Sequence, residues 1–139
     1  MELGSGIGFL GISLLKFQSL KKLIFSDHHQ SVLDNLELNI KANEIDQDKY
    51  QIQCLDWEDN VQAELNQDLI IGSDIVFDTR LIPFLVQVIG KQPAIIANVL
   101  RNEETKKAFE DELDKTNNEF SVQVSDQNML LYKINLKNV

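Results

Sequence analysis

Three glycines and two carboxylates near the start of the chain carry the clearest chemical signal. Glu2 precedes the loop Gly4-Ser5-Gly6-Ile7-Gly8, and an apolar stretch over 9–17 follows at once. Glycines at alternate positions let the backbone turn tightly and let a ligand approach without meeting a Cβ. The stretch that follows reads as a helix, and the first N–H groups of a helix are free to face an anionic group. Asp27 closes the next apolar run, Leu23-Ile24-Phe25-Ser26. A carboxylate at the tip of a second strand is placed to hold ribose hydroxyls. Together these residues describe a cradle for a nucleoside ligand that also carries an anionic group.

Two ligands meet that description. A methyl donor of the S-adenosylmethionine type brings a carboxylate for the helix start, with an ammonium and a sulfonium for acidic neighbours such as Glu2. A dinucleotide is the other, because Gly6-Ile7-Gly8-Phe9-Leu10-Gly11 is a literal G-x-G-x-x-G and Asp27 serves either ligand. The glycine motif alone does not separate them. Glu2 and the order of the later elements favour the methyl donor.

The elements that must position these residues alternate between short apolar runs and longer amphipathic stretches. Residues 23–25, 50–55, 68–77 and 94–97 read as strands buried on both faces, as parallel sheets require. Val32, Leu33, Leu36 and Ile40 recur at helical spacing, with Glu37 and Lys41 as an i,i+4 pair. The stretch 80–91 sets Leu81, Leu85 and Val88 on one stripe, with Pro83 in its first turn, where a missing N–H is tolerated. A charged helix over 102–117 carries Phe109 and Leu113 at i,i+4. The end of the chain breaks this rhythm. Residues 120–124 and 129–136 both alternate, and only a short turn separates them, so they form an antiparallel hairpin. A mostly parallel α/β sheet finished by such a hairpin is the Rossmann-like layout of class I methyltransferases, whereas a plain dinucleotide fold continues with another crossover. The strand that should precede the glycine loop is reduced to Met1-Glu2-Leu3. The expectation is therefore one domain over 1–139, truncated at its N-terminus with the first strand mostly missing.

The chain has 139 residues, enough to bury a real core. Its formal net charge of -9 argues against a nucleic-acid partner, since phosphate contacts need a lysine and arginine footprint. No apolar run approaches the roughly 18 residues of a membrane span, and the N-terminus lacks the pattern of a secretory signal. Cys54 is the one cysteine, so neither an internal disulfide nor a zinc cluster can form. A cytoplasmic monomer is the expectation. His28 and His29 have no third ligand in metal-binding spacing and read as surface residues at a helix start. Cys54, on a strand, reads as a buried and inert thiol. No metal is expected.

Four motifs in order extend the signal over nearly the whole chain. Glu2-Leu3-Gly4-Ser5-Gly6-Ile7-Gly8, Phe25-Ser26-Asp27, Leu55-Asp56-Trp57 and Gly72-Ser73-Asp74-Ile75-Val76-Phe77 resemble the lysine methyltransferases of methyltransferase family 16. Asn98-Val99-Leu100-Arg101-Asn102-Glu103-Glu104-Thr105 resembles the branch of that family that modifies elongation factor 2. The resemblance implies S-adenosylmethionine as cofactor and a protein substrate, with elongation factor 2 the best single candidate. It implies that Gly4, Ser5 and Gly6 cradle the methionine part of the donor, with Glu2 beside them. It further implies that Asp27 holds the ribose, that Asp56 and Trp57 border the adenine, and that Ser73 lines the donor pocket. Asp74 and Phe77 fall on the family's Asp-x-x-Tyr position, with phenylalanine in place of tyrosine. That exchange removes a hydroxyl that could contact the lysine amine, while an aromatic face can still hold a cation.

Methyl transfer is an in-line displacement at a sulfonium, which asks mainly for proximity and alignment. The acceptor lysine must first lose a proton, and a nearby carboxylate raises its pKa. Asp74 is therefore expected to orient the amine rather than to act as a strong base. Two other functions compete at this level. One is an NAD-binding oxidoreductase domain, which would need a second catalytic domain. The other is a catalytically silent remnant acting as a binding module, which a missing central strand would favour.

Overall fold

The computed structural model describes residues 1–59, 66–125 and 128–136. The chain divides into two compact units, Met1–Asp56 and a second from Trp57 onward. Seven strands and four α-helices are present among the described residues.

The first unit runs β1 (Glu2–Leu3), α1 (Phe9–Phe17), β2 (Leu23–Asp27), α2 (Gln30–Ala42) and β3 (Tyr50–Cys54). Its strands lie in the order β3-β2-β1 and are all parallel. Glu2 sits opposite Phe25, and Leu23 to Asp27 pair in step with Tyr50 to Cys54. The first strand is short but present, and both of its residues are buried. Leu33, Leu36 and Ile40 form the buried stripe of α2, at the spacing the sequence predicts. Gly11 explains how α1 reaches the sheet. A Cβ there would lie 2.3 Å from Phe25 Cε1 and 2.6 Å from Leu23 Cδ2, so only glycine lets the helix pack this closely.

Two expectations for this unit need correction. β3 is not buried on both faces, because it is the outer strand of the unit's sheet and none of its residues is fully buried. For the same reason Cys54 is exposed, not a buried thiol.

The second unit runs β4 (Ile70–Ser73), α3 (Ile82–Ile89), β5 (Ala94–Val99), α4 (Glu103–Lys115), β6 (Phe120–Val124) and β7 (Met129–Ile134). The strand order is β4-β5-β7-β6; β4 and β5 are parallel, and β7 runs antiparallel to both its neighbours. Its core gathers Ile70, Leu85, Ile89, Ile96, Phe109, Leu113, Tyr132 and Ile134, all fully buried. Phe109 meets Tyr132 edge-on with ring centroids 5.1 Å apart, and the Tyr132 hydroxyl donates to Glu110 at 3.1 Å. Asn102 caps α4 by accepting from the Thr105 N–H at 2.8 Å, and Glu103 and Glu104 follow where the helix dipole favours acids.

The apolar run over 68–77 reads as one strand but is not one. β4 stops at Ser73 because Asp74 takes a left-handed conformation, φ 60°, that takes the chain out of the ladder. Ile75 and Val76 are buried all the same, which is why the run looks continuous in sequence.

Candidate functional site

In the first unit the glycine loop is held open by its own backbone and by two serines. Gly4, Gly6 and Gly8 all have positive φ, at 59°, 53° and 84°, a region that residues with a Cβ rarely enter. Ser5 is buried. Its N–H donates to the Ser26 carbonyl at 2.8 Å, and its Oγ accepts from the Ser26 N–H at 3.0 Å. The Ser26 hydroxyl donates in turn to the Glu2 carbonyl at 2.7 Å. These bonds bind the loop to the tip of β2. Ser5 therefore spends its hydroxyl within the loop.

The same tip brings Asp27 to the loop. Its Oδ2 accepts from the Gly6 N–H at 3.1 Å, and its Oδ1 accepts from the His29 N–H at 3.3 Å. The Leu55 N–H donates to the Asp27 carbonyl at 2.9 Å, which carries the chain from β3 past this carboxylate to half-buried Asp56. A Cβ built on Gly6 meets no atom within 4 Å, so the loop faces open space at this position. Gly8 starts α1 with no side-chain cap; of the first-turn N–H groups Gly11's is turned to the Glu2 carboxyl, and those of Phe9 and Leu10 are left to face an anion. An open glycine turn, a helix N-terminus and a carboxylate that already receives an N–H fit the carboxylate and ribose ends of the donor.

Glu2 lies elsewhere than on the rim of that loop. Its side chain is 3% exposed and turns under α1, with Oε2 2.4 Å from where a Cβ on Gly11 would stand. Among the described residues that oxygen has no hydrogen-bond partner. Burial pushes the Glu2 carboxyl up to about 7, while Ser5 and the Gly11 backbone offset part of the effect.

In the second unit the motif at the end of β4 forms a turn fixed to the end of β5. Ser73 is exposed. The Asp74 carboxylate accepts from the Val99 N–H at 3.1 Å through Oδ1 and from the Arg101 guanidinium at 3.0 Å through Oδ2. The Val99 N–H first, and the Arg101 guanidinium with it, hold this carboxyl below the usual range. Phe77 leaves half its surface exposed. The turn thus presents a carboxylate and an aromatic face, groups that suit a cation. Trp57, the first residue of this unit, is half-buried.

The sequence motif marks Asp74 and Phe77 but not the residues that hold them. Arg101 pairs with Asp74, and buried Asn98 bonds to the backbone of Val76. Their only signal in sequence is membership of the motif that follows the fifth strand. His28 and His29 are exposed where α2 begins. Among the described residues no group of three or more His, Cys, Asp or Glu could hold a metal ion. No helix among them is long and apolar enough to cross a membrane.

These elements define a class I methyltransferase fold, and solved structures share it. The ribosomal protein L11 methylase of Lactobacillus delbrueckii subsp. bulgaricus superposes with a TM-score of 0.72 at 19% identity, over 99% of this chain and 68% of that one. The methyltransferase domain of bacterial CtHen1-CN gives 0.74 at 14% identity, over 97% and 88% of the two chains. A family model described as lysine methyltransferase matches residues 1–128, and the chain belongs to that family. The protein-lysine N-methyltransferase EEF2KMT of Mus musculus is 27% identical over 137 residues, covering 83% of this chain and 41% of the mouse protein. The protein-lysine N-methyltransferase EFM3 of Chaetomium thermophilum is 30% identical over 125 residues, covering 78% and 37%. The chain therefore spans about two fifths of the length of these relatives.

Proposed function

We propose that this chain is the catalytic domain of a protein-lysine methyltransferase that moves a methyl group from S-adenosylmethionine to a lysine of elongation factor 2. The observation that carries the donor is the open turn at Gly6, with the Asp27 carboxylate on its N–H and an uncapped helix start beside it. When bound, S-adenosylmethionine supplies an electrophilic methyl on a sulfonium. Gly4 and Gly6 receive its methionine end, and Asp27 receives the ribose hydroxyls. Ser5 fixes the loop from within, and Glu2 supports it from beneath α1. The family resemblance assigns Asp56 and Trp57 to the adenine and Ser73 to the donor.

Asp74 and Phe77 receive the acceptor amine. A bare carboxylate there would hold the lysine as an ammonium and oppose attack. Arg101, already paired with Asp74, offsets that charge. Asp74 then orients the amine as a hydrogen-bond acceptor, and the ring of Phe77 offers its face to the lysine side chain. The substrate reading rests on the sequence following β5 and on the named activities of the relatives.

The test is calorimetric titration with S-adenosylhomocysteine against an NAD control, followed by transfer of labelled methyl to purified elongation factor 2. Saturable binding of the first ligand alone, with label recovered on lysine, is the expected result. Binding of NAD in its place, or label that never reaches lysine, would refute the proposal.

A further inference from the structure

The turn after β4 has no strand to hold it. The pairing of β4 with β5 ends at Ser73 opposite Ala97, and the Asp74 N–H makes one more bond, to the Ala97 carbonyl at 2.8 Å. Asp74 itself sits at φ 60°, a conformation that a residue with a Cβ keeps only when its surroundings enforce it. The next support comes from a side chain. Asn98 is 6% exposed on β5. Its Oδ1 accepts from the Val76 N–H at 2.9 Å, and its Nδ2 donates to the Val76 carbonyl at 2.9 Å and to the Val99 carbonyl at 3.2 Å. A primary amide offers an acceptor and a donor together, so it can bind both backbone groups of one residue as a neighbouring strand would. Asn98 thus replaces the missing ladder and grips the turn midway between Asp74 and Phe77. From the other flank, the Asp74 carboxylate returns to Val99 and Arg101.

We infer that Asn98 is a positioning residue for methyl transfer: its amide fixes the turn that carries Asp74 and Phe77, and so sets where the acceptor amine lies. The inference rests on the reading of that turn as the acceptor side. The nearest bland role, general support of the sheet, makes a different prediction for residues away from the turn.

Two variants of the full chain separate these roles. Asn98→Ser shortens the side chain so that it cannot span Val76. Asn98→Asp keeps the acceptor but sets an oxygen against two carbonyls. In both, kcat for transfer to elongation factor 2 should fall at least tenfold, while the KM for the donor and the affinity for S-adenosylhomocysteine stay within about twofold. Amide hydrogen exchange at Val76 should quicken at least tenfold, with Ile96 on β5 unchanged. An unaltered kcat, an equal loss of donor affinity, or unaltered exchange at Val76 would overturn the inference. Equal acceleration at Ile96 would also overturn it, because Asn98 would then hold the whole sheet. If the unmodified chain methylates nothing while exchange responds as stated, the catalytic proposal fails and the hold of Asn98 on the turn stands.

Discussion

Replacing Glu2 with glutamine should remove a pH-dependent weakness from the first unit. Glu2 is 3% exposed, packs beside Gly11 under α1, and leaves Oε2 without a partner among the described residues. Burial raises its carboxyl from 4.5 to about 7. Between those values the folded chain holds a proton that the unfolded chain has released. Stability therefore falls as pH rises through this window and levels off above the folded value. The gap between 4.5 and about 7, at about 1.4 kcal/mol per pH unit, amounts to about 3 kcal/mol. That is a large part of the about 5–15 kcal/mol that holds a domain of this size together. Glutamine has nearly the same shape and no charge to lose. Urea unfolding of both proteins at several pH values between 4.5 and 8 isolates the effect, because other titrating groups cancel in the difference. The variant should gain on the parent steadily, reaching about 3 kcal/mol near pH 8. A difference that stays flat across pH, or that shrinks as pH rises, would refute the assignment of a buried, charge-penalised Glu2.

Gly6→Ala should cost only about 1 kcal/mol of stability through its left-handed backbone, since the new Cβ meets no atom within 4 Å. That Cβ would stand in the space assigned to the donor, so calorimetry should show affinity for S-adenosylhomocysteine falling at least tenfold; equal affinity would remove this loop from the donor site. Arg101→Gln frees the Asp74 carboxylate from its ion pair and should raise the pKa of the acceptor amine. The rising limb of kcat/KM against pH should then move to higher pH, by about 0.5–1 unit, and a limb that stays in place would show that Arg101 does not tune the amine.

What the sequence determined by itself was local or periodic. The spacing of Gly4, Gly6 and Gly8 announced a tight turn, and all three take the positive φ that glycine allows there. The stripe of Leu33, Leu36 and Ile40 announced α2, and the two alternating runs near the end announced the antiparallel β6 and β7. These signals are readable because backbone conformation and the burial period of an element depend on neighbours in the chain. The family followed from four such motifs in order, and the match over residues 1–128 agrees with it. Tertiary structure decided what depends on distant partners. Cys54 is exposed because β3 lies on the outside of its sheet, a fact about strand order rather than about the strand. The apolar run at 68–77 splits at Asp74 because that residue bonds to Val99 and Arg101, more than twenty positions away. Glu2 sits in a motif that suggests a ligand contact, yet the closeness that Gly11 permits between α1 and β2 closes over it. Burial, the partner of a charge and the support of a turn are set by residues that meet only when the chain folds.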